Sequence, residues 1–363
     1  MAQQRIVVFG ATGYTGRLIA ERLVAQGARP VLAGRSSSRL AELSAALGGL
    51  ETVRADVLRK NSVFDLVDGD DVLVSTVGPF AKWGEPAVRA AVAAGCVYLD
   101  TTGEPAFIRR VFEEFDAPAR KSGARLLTAM GYDFAPGALA GALALEEAGS
   151  EAVRVDVGYY ALGGGPSSLS AGTRESLVGV TLGDGHAYRD GRVRGVRSAE
   201  RVRSFSVAGK QREAISVGGA EHFGLPASYP GLREVNVYLG WFGPLARPLQ
   251  AGSFVGEFVR KVPLTTTVMR FAGERALGLV SGPEPGTTPG GRSWIAAEAS
   301  DAAGRVLSEV HLAGVDGYAF TAGFMAWAAQ QPVSGVGALG PVEAFGLERL
   351  EAGAAAAGLT RVP

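Results

Sequence analysis

Cysteine is almost missing from this chain: Cys96 stands alone among 363 residues. An intrachain disulfide framework and a cysteine-built zinc site are therefore both excluded. Set in Ala94-Gly-Cys-Val-Tyr98, the thiol reads as a small buried hydrophobe. Histidine is nearly as scarce, and His186, His222 and His311 offer no i,i+4 pair to grip a metal. No sign of charge dominates. The 36 basic and 36 acidic residues cancel, which argues against a nucleic-acid surface and against general attraction to anionic membranes. No apolar run approaches a membrane span, and the first residues read as a strand instead of a signal peptide. A cytoplasmic protein without a transmembrane segment is expected. With 47% hydrophobic and 20% charged residues, the chain can bury the core of one large domain or two ordinary ones.

The richest stretch is Ile6-Val-Val-Phe-Gly-Ala-Thr-Gly-Tyr-Thr-Gly16. A short β-branched run feeds a turn with glycine at 10, 13 and 16, and a helical pattern follows from Arg17. In a strand–turn–helix unit the first glycine permits the turn and the second lets backbone approach a pyrophosphate. The third lets helix pack against strand. The N–H groups at the helix start then favour an anion. The spacing is G-x-x-G-x-x-G, a loose form of the commonest fingerprint, so its context between strand and helix carries the weight.

Strand candidates recur at Arg5–Phe9, Arg29–Ala33, Thr52–Ala55, Val72–Thr76, Val97–Asp100 and Arg125–Ala129. Helical patterns lie between them, at Arg17–Gln26, Arg39–Leu47, Pro86–Ala94 and Pro105–Lys121. This alternation predicts an α/β fold, a doubly wound Rossmann-type parallel sheet covered on both faces. The texture changes after Gly149. Strand patterns at Val153–Ala161, Glu213–Val217 and Glu234–Gly240, with hairpin turns at Asp190-Gly191 and Asp301–Gly304, predict a second α+β domain on a mixed or antiparallel sheet. A helix-rich stretch is expected near Leu249–Leu279, and a Pro/Gly loop at Gly282–Gly291 reads as a lid or as plain disorder. Helical patterns at Ala322–Gln330 and Pro341–Ala357 close the chain. The expected division is 1–149 for the nucleotide domain, 150–314 for a substrate or oligomerisation domain, and 315–363 for helices packing back on the first. A homodimer through the second domain's sheet is compatible with this layout.

The end of the second strand bears on the cofactor. An NAD site usually carries Asp or Glu there to hold the ribose hydroxyls. Here the chain reads Gly34-Arg-Ser-Ser-Ser-Arg39, with no acid. Arg35 can take a 2′-phosphate bidentately, with Ser36 or Ser37 as hydroxyl donors and Arg39 assisting. NADP(H) is expected, against the alternative of two solvated arginines at a helix start. The cofactor set is Gly10, Thr12, Gly13, Tyr14, Thr15, Gly16, Arg35, Ser36 and Ser37, with Asp56 either at the adenine edge or capping a helix. It continues through Thr76, Val77, Gly78, Pro79 and Phe80, where a dinucleotide would cross the switch point.

Three further segments resemble a known family. They are Val77-Gly-Pro-Phe-Ala-Lys-Trp-Gly-Glu-Pro86, Tyr98-Leu-Asp-Thr-Thr-Gly-Glu-Pro105 and Gly131-Tyr-Asp-Phe-Ala-Pro136. In order, they are similar to motifs of the saccharopine dehydrogenase-like oxidoreductases, more so to the trans-acting enoyl reductase branch. The resemblance covers roughly the first 145 residues well and implies a Rossmann fold and NADP binding; it is less specific for the reaction. The chain departs from the pattern at Tyr132, where Phe is usual, and at Phe134-Ala135.

None of the nine tyrosines has lysine four residues on, which argues against the Tyr-x-x-x-Lys chemistry of short-chain dehydrogenases. No convincing nucleophile elbow is present either. Hydride transfer needs a proton donor within reach of the reacting atom. Asp100, Glu104, Tyr132 and Asp133 follow the fifth and sixth strands, and Lys82 on a facing loop can orient an acid. Asp100 and Asp133 also read as caps of loops or helices, and Glu104-Pro105 as an acidic helix start. Three functions stay open: an NADPH-dependent reductase of a C=C bond on a small or carrier-bound substrate, a C=N reductase or dehydrogenase, and a non-catalytic NADP-binding regulator or scaffold. Arg174 and Arg189 would serve carboxylates in the second case; Phe205, Phe223, Tyr229, Trp241 and Phe242 would suit an apolar cleft in the first.

Overall fold

The computed structural model describes residues 4–163, 184–259 and 291–363. Six short strands come first: β1 (Ile6–Phe9), β2 (Val31–Gly34), β3 (Thr52–Arg54), β4 (Val72–Ser75), β5 (Val97–Asp100) and β6 (Arg125–Leu127). β1, β2, β4 and β5 are buried at every position, as a parallel sheet covered on both faces requires. They pair in parallel in the order β6-β5-β4-β1-β2-β3. The order reverses between β1 and β4, and the register sets Phe9 beside Ser75 and Ser75 beside Asp100. The carboxyl edge at this switch point is where doubly wound sheets take ligands.

Helices Tyr14–Ala25, Ser37–Ala46 and Glu85–Ala94 connect these strands. Ala87, Val88, Ala90 and Ala91 put the inner face of the third against a core built on Val7, Phe9, Leu73, Tyr98 and Leu126. The continuous helix expected over Pro105–Lys121 is instead interrupted by a π turn at Val111–Phe115. Pro118 explains it, because it has no N–H for the Glu114 carbonyl and its ring crowds that oxygen, so the preceding turn widens.

The second sheet holds β7 (Arg154–Leu162), β8 (Asp184–Arg189), β9 (Arg192–Arg197), β10 (Val202–Val207), β11 (Lys210–Val217), β12 (Glu234–Leu239), β13 (Arg292–Ser300) and β14 (Val306–Gly314). β12 and β7 are parallel and the other pairs antiparallel, so the sheet is mixed. Asp190 and Gly191, at φ 50° and 76°, make the β8–β9 turn, the left-handed pair a tight hairpin needs. On one face lies helix Ala135–Ala148, where a Cβ on Gly141 would touch Val155 and Val157 at 3.5 Å and press on Leu225 at 2.9 Å. On the other, Phe205 packs edge-on against Tyr160 and Tyr238. Asp156 is buried there, paired with Arg154 at 2.8 Å, Arg203 at 2.9 Å and Asn236 at 2.8 Å, as a buried charge must be.

The chain then returns to the first sheet. Helix Gly317–Ala328 stacks Phe320, Phe324 and Trp327 in a row. β15 (Gly337–Ala338) adds a seventh parallel strand beside β6. The helix expected over Pro341–Ala357 is two, Pro341–Phe345 and Leu347–Ala356, parted at Gly346 with φ 76°. β16 (Leu359–Val362) pairs with β14. By packing, Met1–Thr102, Phe107–Ala135 and Tyr318–Gly358 form one compact unit; Gly103–Ala106, Pro136–Gly317 and Leu359–Pro363 form the other. The helix expected from Leu249 is seen as Ala246–Val259. Its continuation to Leu279, Arg174 and the loop up to residue 290 lie outside the described residues.

Candidate functional site

Two glycines of the first turn have no substitute. Gly10 sits at φ +90°, and a Cβ there would come within 2.6 Å of Thr76 Oγ1. A Cβ on Gly16 would run into the Gly10 carbonyl. The Gly13 N–H donates to that carbonyl at 2.9 Å, and Gly13 opens the helix Tyr14–Ala25 without any side-chain cap or any acid in the first turn. The helix thus brings no acid of its own first turn to the positive end of its dipole. The Thr76 hydroxyl, 3.2 Å from both Phe9 O and Gly10 O, ties the end of β4 to the turn. Thr12, Tyr14 and Thr15 are half-buried around it.

Beyond β2, Ser36 caps helix Ser37–Ala46, its Oγ 3.4 Å from the Arg39 N–H. Arg39 donates through its guanidinium to Thr12 O at 2.8 Å, so it braces the glycine turn. Arg35 and Ser37 are exposed, and Arg35 makes no ion pair among the described residues. Asp56 behaves as a turn cap, its Oδ1 accepting the Leu58 N–H at 3.0 Å. After Thr76, Val77 and Pro79 are half-buried, Gly78 is exposed and Phe80 is buried against Phe107. Lys82 is exposed, its Nζ 4.6 Å from the centre of the Trp83 ring.

Two carboxylates at neighbouring strand ends differ sharply. Asp100, fully buried at the end of β5, accepts from the Thr102 N–H (2.9 Å), the Ala129 N–H (2.9 Å) and the Thr128 hydroxyl (2.8 Å). Burial raises its pKa to about 6, and those donors hold it from rising further. Asp133 has no such help. It is half-buried as a residue, but its Oδ1 is sealed from solvent without a hydrogen-bond partner. Loss of solvation alone pushes it up to about 7.

The loop that carries Asp133 is held from far away in the chain. The Tyr132 N–H donates to Thr321 Oγ1 at 2.9 Å, and the buried Tyr132 ring meets Phe320 edge-on at 6.4 Å. Gly131 leaves room for Thr321, whose side chain would be 3.2 Å from a Cβ there. Phe320 and Thr321 belong to helix Gly317–Ala328, and so does Tyr318, whose ring stands 5.0 Å from that of Tyr14 at 85°. Sequence reasoning did not single these three residues out. The helical pattern begins to read clearly only at Ala322, and nothing local marks Thr321 as a partner of Tyr132.

The second unit's candidates do not gather at one place. Phe205 belongs to the core with Tyr160, and Phe242 packs near Ile215 and Ala246. The Tyr229 hydroxyl donates to Glu146, Phe223 meets His186 at a tilt with ring centres 5.1 Å apart, Trp241 is half-buried, and Arg189 pairs with Glu200 at 2.5 Å. Glu104 is buried at the start of helix Pro105–Arg110. Burial pushes the Cys96 thiol up to about 12, as befits an inert core residue. Among the described residues there is no cluster of His, Cys, Asp and Glu fit for a metal, and no helix is long and apolar enough to cross a membrane.

Comparison with known proteins agrees with this geometry. The model of an NAD(P)H-binding family matches residues 10–97, so the first unit contains an NAD(P)H-binding domain and its cofactor is a nicotinamide dinucleotide. A Mycobacterium tuberculosis relative is 40% identical over 137 residues. The trans-acting enoyl reductases of M. tuberculosis and M. leprae are 38% and 37% identical over the same length. The aligned stretch is 36% of this chain and 33% of each of these relatives. The apo saccharopine dehydrogenase (L-Glu forming) of Saccharomyces cerevisiae superposes over 99% of both chains with a TM-score of 0.58 at 12% identity, which is a likeness of fold. The chain is thus similar to a saccharopine dehydrogenase in fold and, over 137 residues, to trans-acting enoyl reductases in sequence.

Proposed function

We propose that this protein is an NADP(H)-dependent reductase of an activated double bond, with the C=C of a carrier-bound enoyl group as the preferred substrate class. The observation that carries the cofactor choice is the exposed Arg35 beyond β2, unpaired among the described residues and with no acid in the following helical turn. A guanidinium there suits a 2′-phosphate and a carboxylate would repel it. The uncapped start of helix Tyr14–Ala25 suits the diphosphate. Gly10, Gly13 and Gly16 keep side chains out of that space, and Thr76 through Phe80 lead across the switch point.

The bound dinucleotide supplies the hydride. The chain's own part is to hold it and to deliver a proton. Asp133 is the chosen donor, because at neutral pH about half of its carboxyls carry a proton on an oxygen with no competing partner. Tyr132 lines the same loop, Asp100 fixes the loop's base through Ala129, and exposed Lys82 is left to orient a substrate group. The enoyl class is preferred over an imine because relatives 37–38% identical over 137 residues are named trans-acting enoyl reductases. Arg189, meanwhile, is committed to Glu200 and is not free for a substrate carboxylate.

Titration with NADPH and NADH, on the natural protein and on Arg35→Ala, tests the cofactor. A charge-assisted bidentate contact is worth roughly 1.5–3 kcal/mol, so NADPH should bind about 10- to 100-fold tighter than NADH, and Arg35→Ala should erase the difference. Equal affinities would remove Arg35 from this role. NADPH consumption over enoyl thioester and imine panels then chooses the substrate class. Tight binding with no turnover on either panel would favour a non-catalytic NADP-binding regulator.

A further inference from the structure

The first turn of helix Gly317–Ala328 touches two loops that lie far from it in sequence. Tyr318 meets Tyr14, the first helical residue after the glycine turn, in an edge-to-face pair with ring centres 5.0 Å apart. One helical turn later Thr321 accepts the N–H of Tyr132, the neighbour of Asp133. Tyr318 is half-buried and Thr321 nearly fully buried, so both contacts are packed ones. Behind them the helix is anchored by stacked Phe320, Phe324 and Trp327, and Gly353 makes room for the Trp327 ring. The turn is therefore a fixed point and not a loose end.

From this we infer that Tyr318 is a positioning residue of the dinucleotide site: through Tyr14 it sets the mouth of the glycine turn, and so governs affinity for the diphosphate–nicotinamide half of the cofactor and not for the 2′-phosphoadenosine half. The inference rests on the NADP(H) reading above. Its physical basis is that an edge-to-face pair favours one orientation of the Tyr14 ring at the turn where the anion binds. Arg35 and Ser36, just beyond β2, hold the other half of the site in that reading, with Ser36 capping the helix that follows.

Calorimetric titration separates the two halves, with NADPH as one ligand and adenosine 2′,5′-bisphosphate as the other. Tyr318→Leu, which keeps bulk but loses the ring edge, should weaken NADPH about five- to tenfold while the bisphosphate stays within about twofold. Tyr318→Phe keeps the ring edge and should bind both as the natural protein does. Tyr14→Leu added to Tyr318→Leu should cost little more, because the pair acts as a unit. NADPH affinity unchanged in Tyr318→Leu would overturn the inference, as would equal weakening of both ligands or additive losses in the double variant. If the natural protein binds neither ligand, it is the cofactor reading itself that fails, and this one with it.

Discussion

Asp133→Asn tests the site without needing a substrate. Its carboxyl is raised from an ordinary 3.8 to about 7 by loss of solvation alone. At 1.36 kcal/mol for each unit of pKa, this corresponds to about 4 kcal/mol of charging cost once the group is ionised. A folded-state pKa above the unfolded one means that the native protein holds the extra proton. Stability is thus fullest at low pH and falls as pH rises from about 4 to about 7. Roughly 3 kcal/mol of that fall lies between pH 5 and pH 8. Asparagine has no charge to desolvate. Urea unfolding should find Asp133→Asn gaining on the natural protein by about 3 kcal/mol between those two pH values, whatever its offset at pH 5. Turnover should drop on the same substitution by roughly 10²- to 10⁴-fold, the usual contribution of a positioned acid. In the natural enzyme kcat should fall about tenfold for each pH unit above about 7. Parallel stability curves at pH 5 and pH 8 would mean that Asp133 has a partner in the fold, and the assignment as a proton donor would go with them.

Two further substitutions probe the frame of the site. Gly16→Ala drives a methyl into the Gly10 carbonyl and against Thr76 Oγ1, 2.7 Å from the new Cβ. We expect NADPH binding to be lost with a fall in Tm of several degrees, corresponding to about 1–3 kcal/mol; an unchanged Tm would mean that the turn is looser than its contacts require. Thr321→Val removes the acceptor of a buried N–H at nearly constant volume and should cost about 1–3 kcal/mol in urea unfolding, while Thr321→Ser restores most of it. Equal losses in both variants would point to packing by the methyl group instead of the hydrogen bond.

Much of the first sheet was readable because its signals are local. Short, mostly apolar runs between helical patterns define β1, β2, β4 and β5, and the glycine spacing at 10, 13 and 16 needs only one turn of chain to express itself. The elements that escaped notice depend on distant partners. β15 is two residues long and exists because β6 offers it a free edge. β10 has only Phe205 and Val207 deeply buried, and those are explained by Tyr160 and Tyr238 across the sheet. Thr321 lies 189 residues from Tyr132, a separation at which no periodicity links two positions. The same limit explains why a list of aromatics in the second half suggested one cleft: composition counts Phe205, Tyr229 and Phe242 together, while the fold sends each to a different place.

Asp100 and Asp133 make the sharpest case, since sequence treats them alike. Both follow a buried strand at the carboxyl edge of the sheet, and both lose their solvation. The difference is made by the donors around them. Asp100 collects two N–H groups and a hydroxyl, each of which favours the carboxylate, and its pKa stops at about 6. The buried Tyr98 hydroxyl faces it as well, without forming an aligned hydrogen bond. Asp133 meets no donor and rises to about 7. A carboxylate held by three donors fixes the loop between Asp100 and Ala129; one that meets no donor has its proton available. Two carboxyl groups that differ this much in the donors around them have different tasks, so replacing Asp100 by Asn should damage folding first and Asp133 by Asn should damage turnover first. Reversal of that order would exchange the two roles.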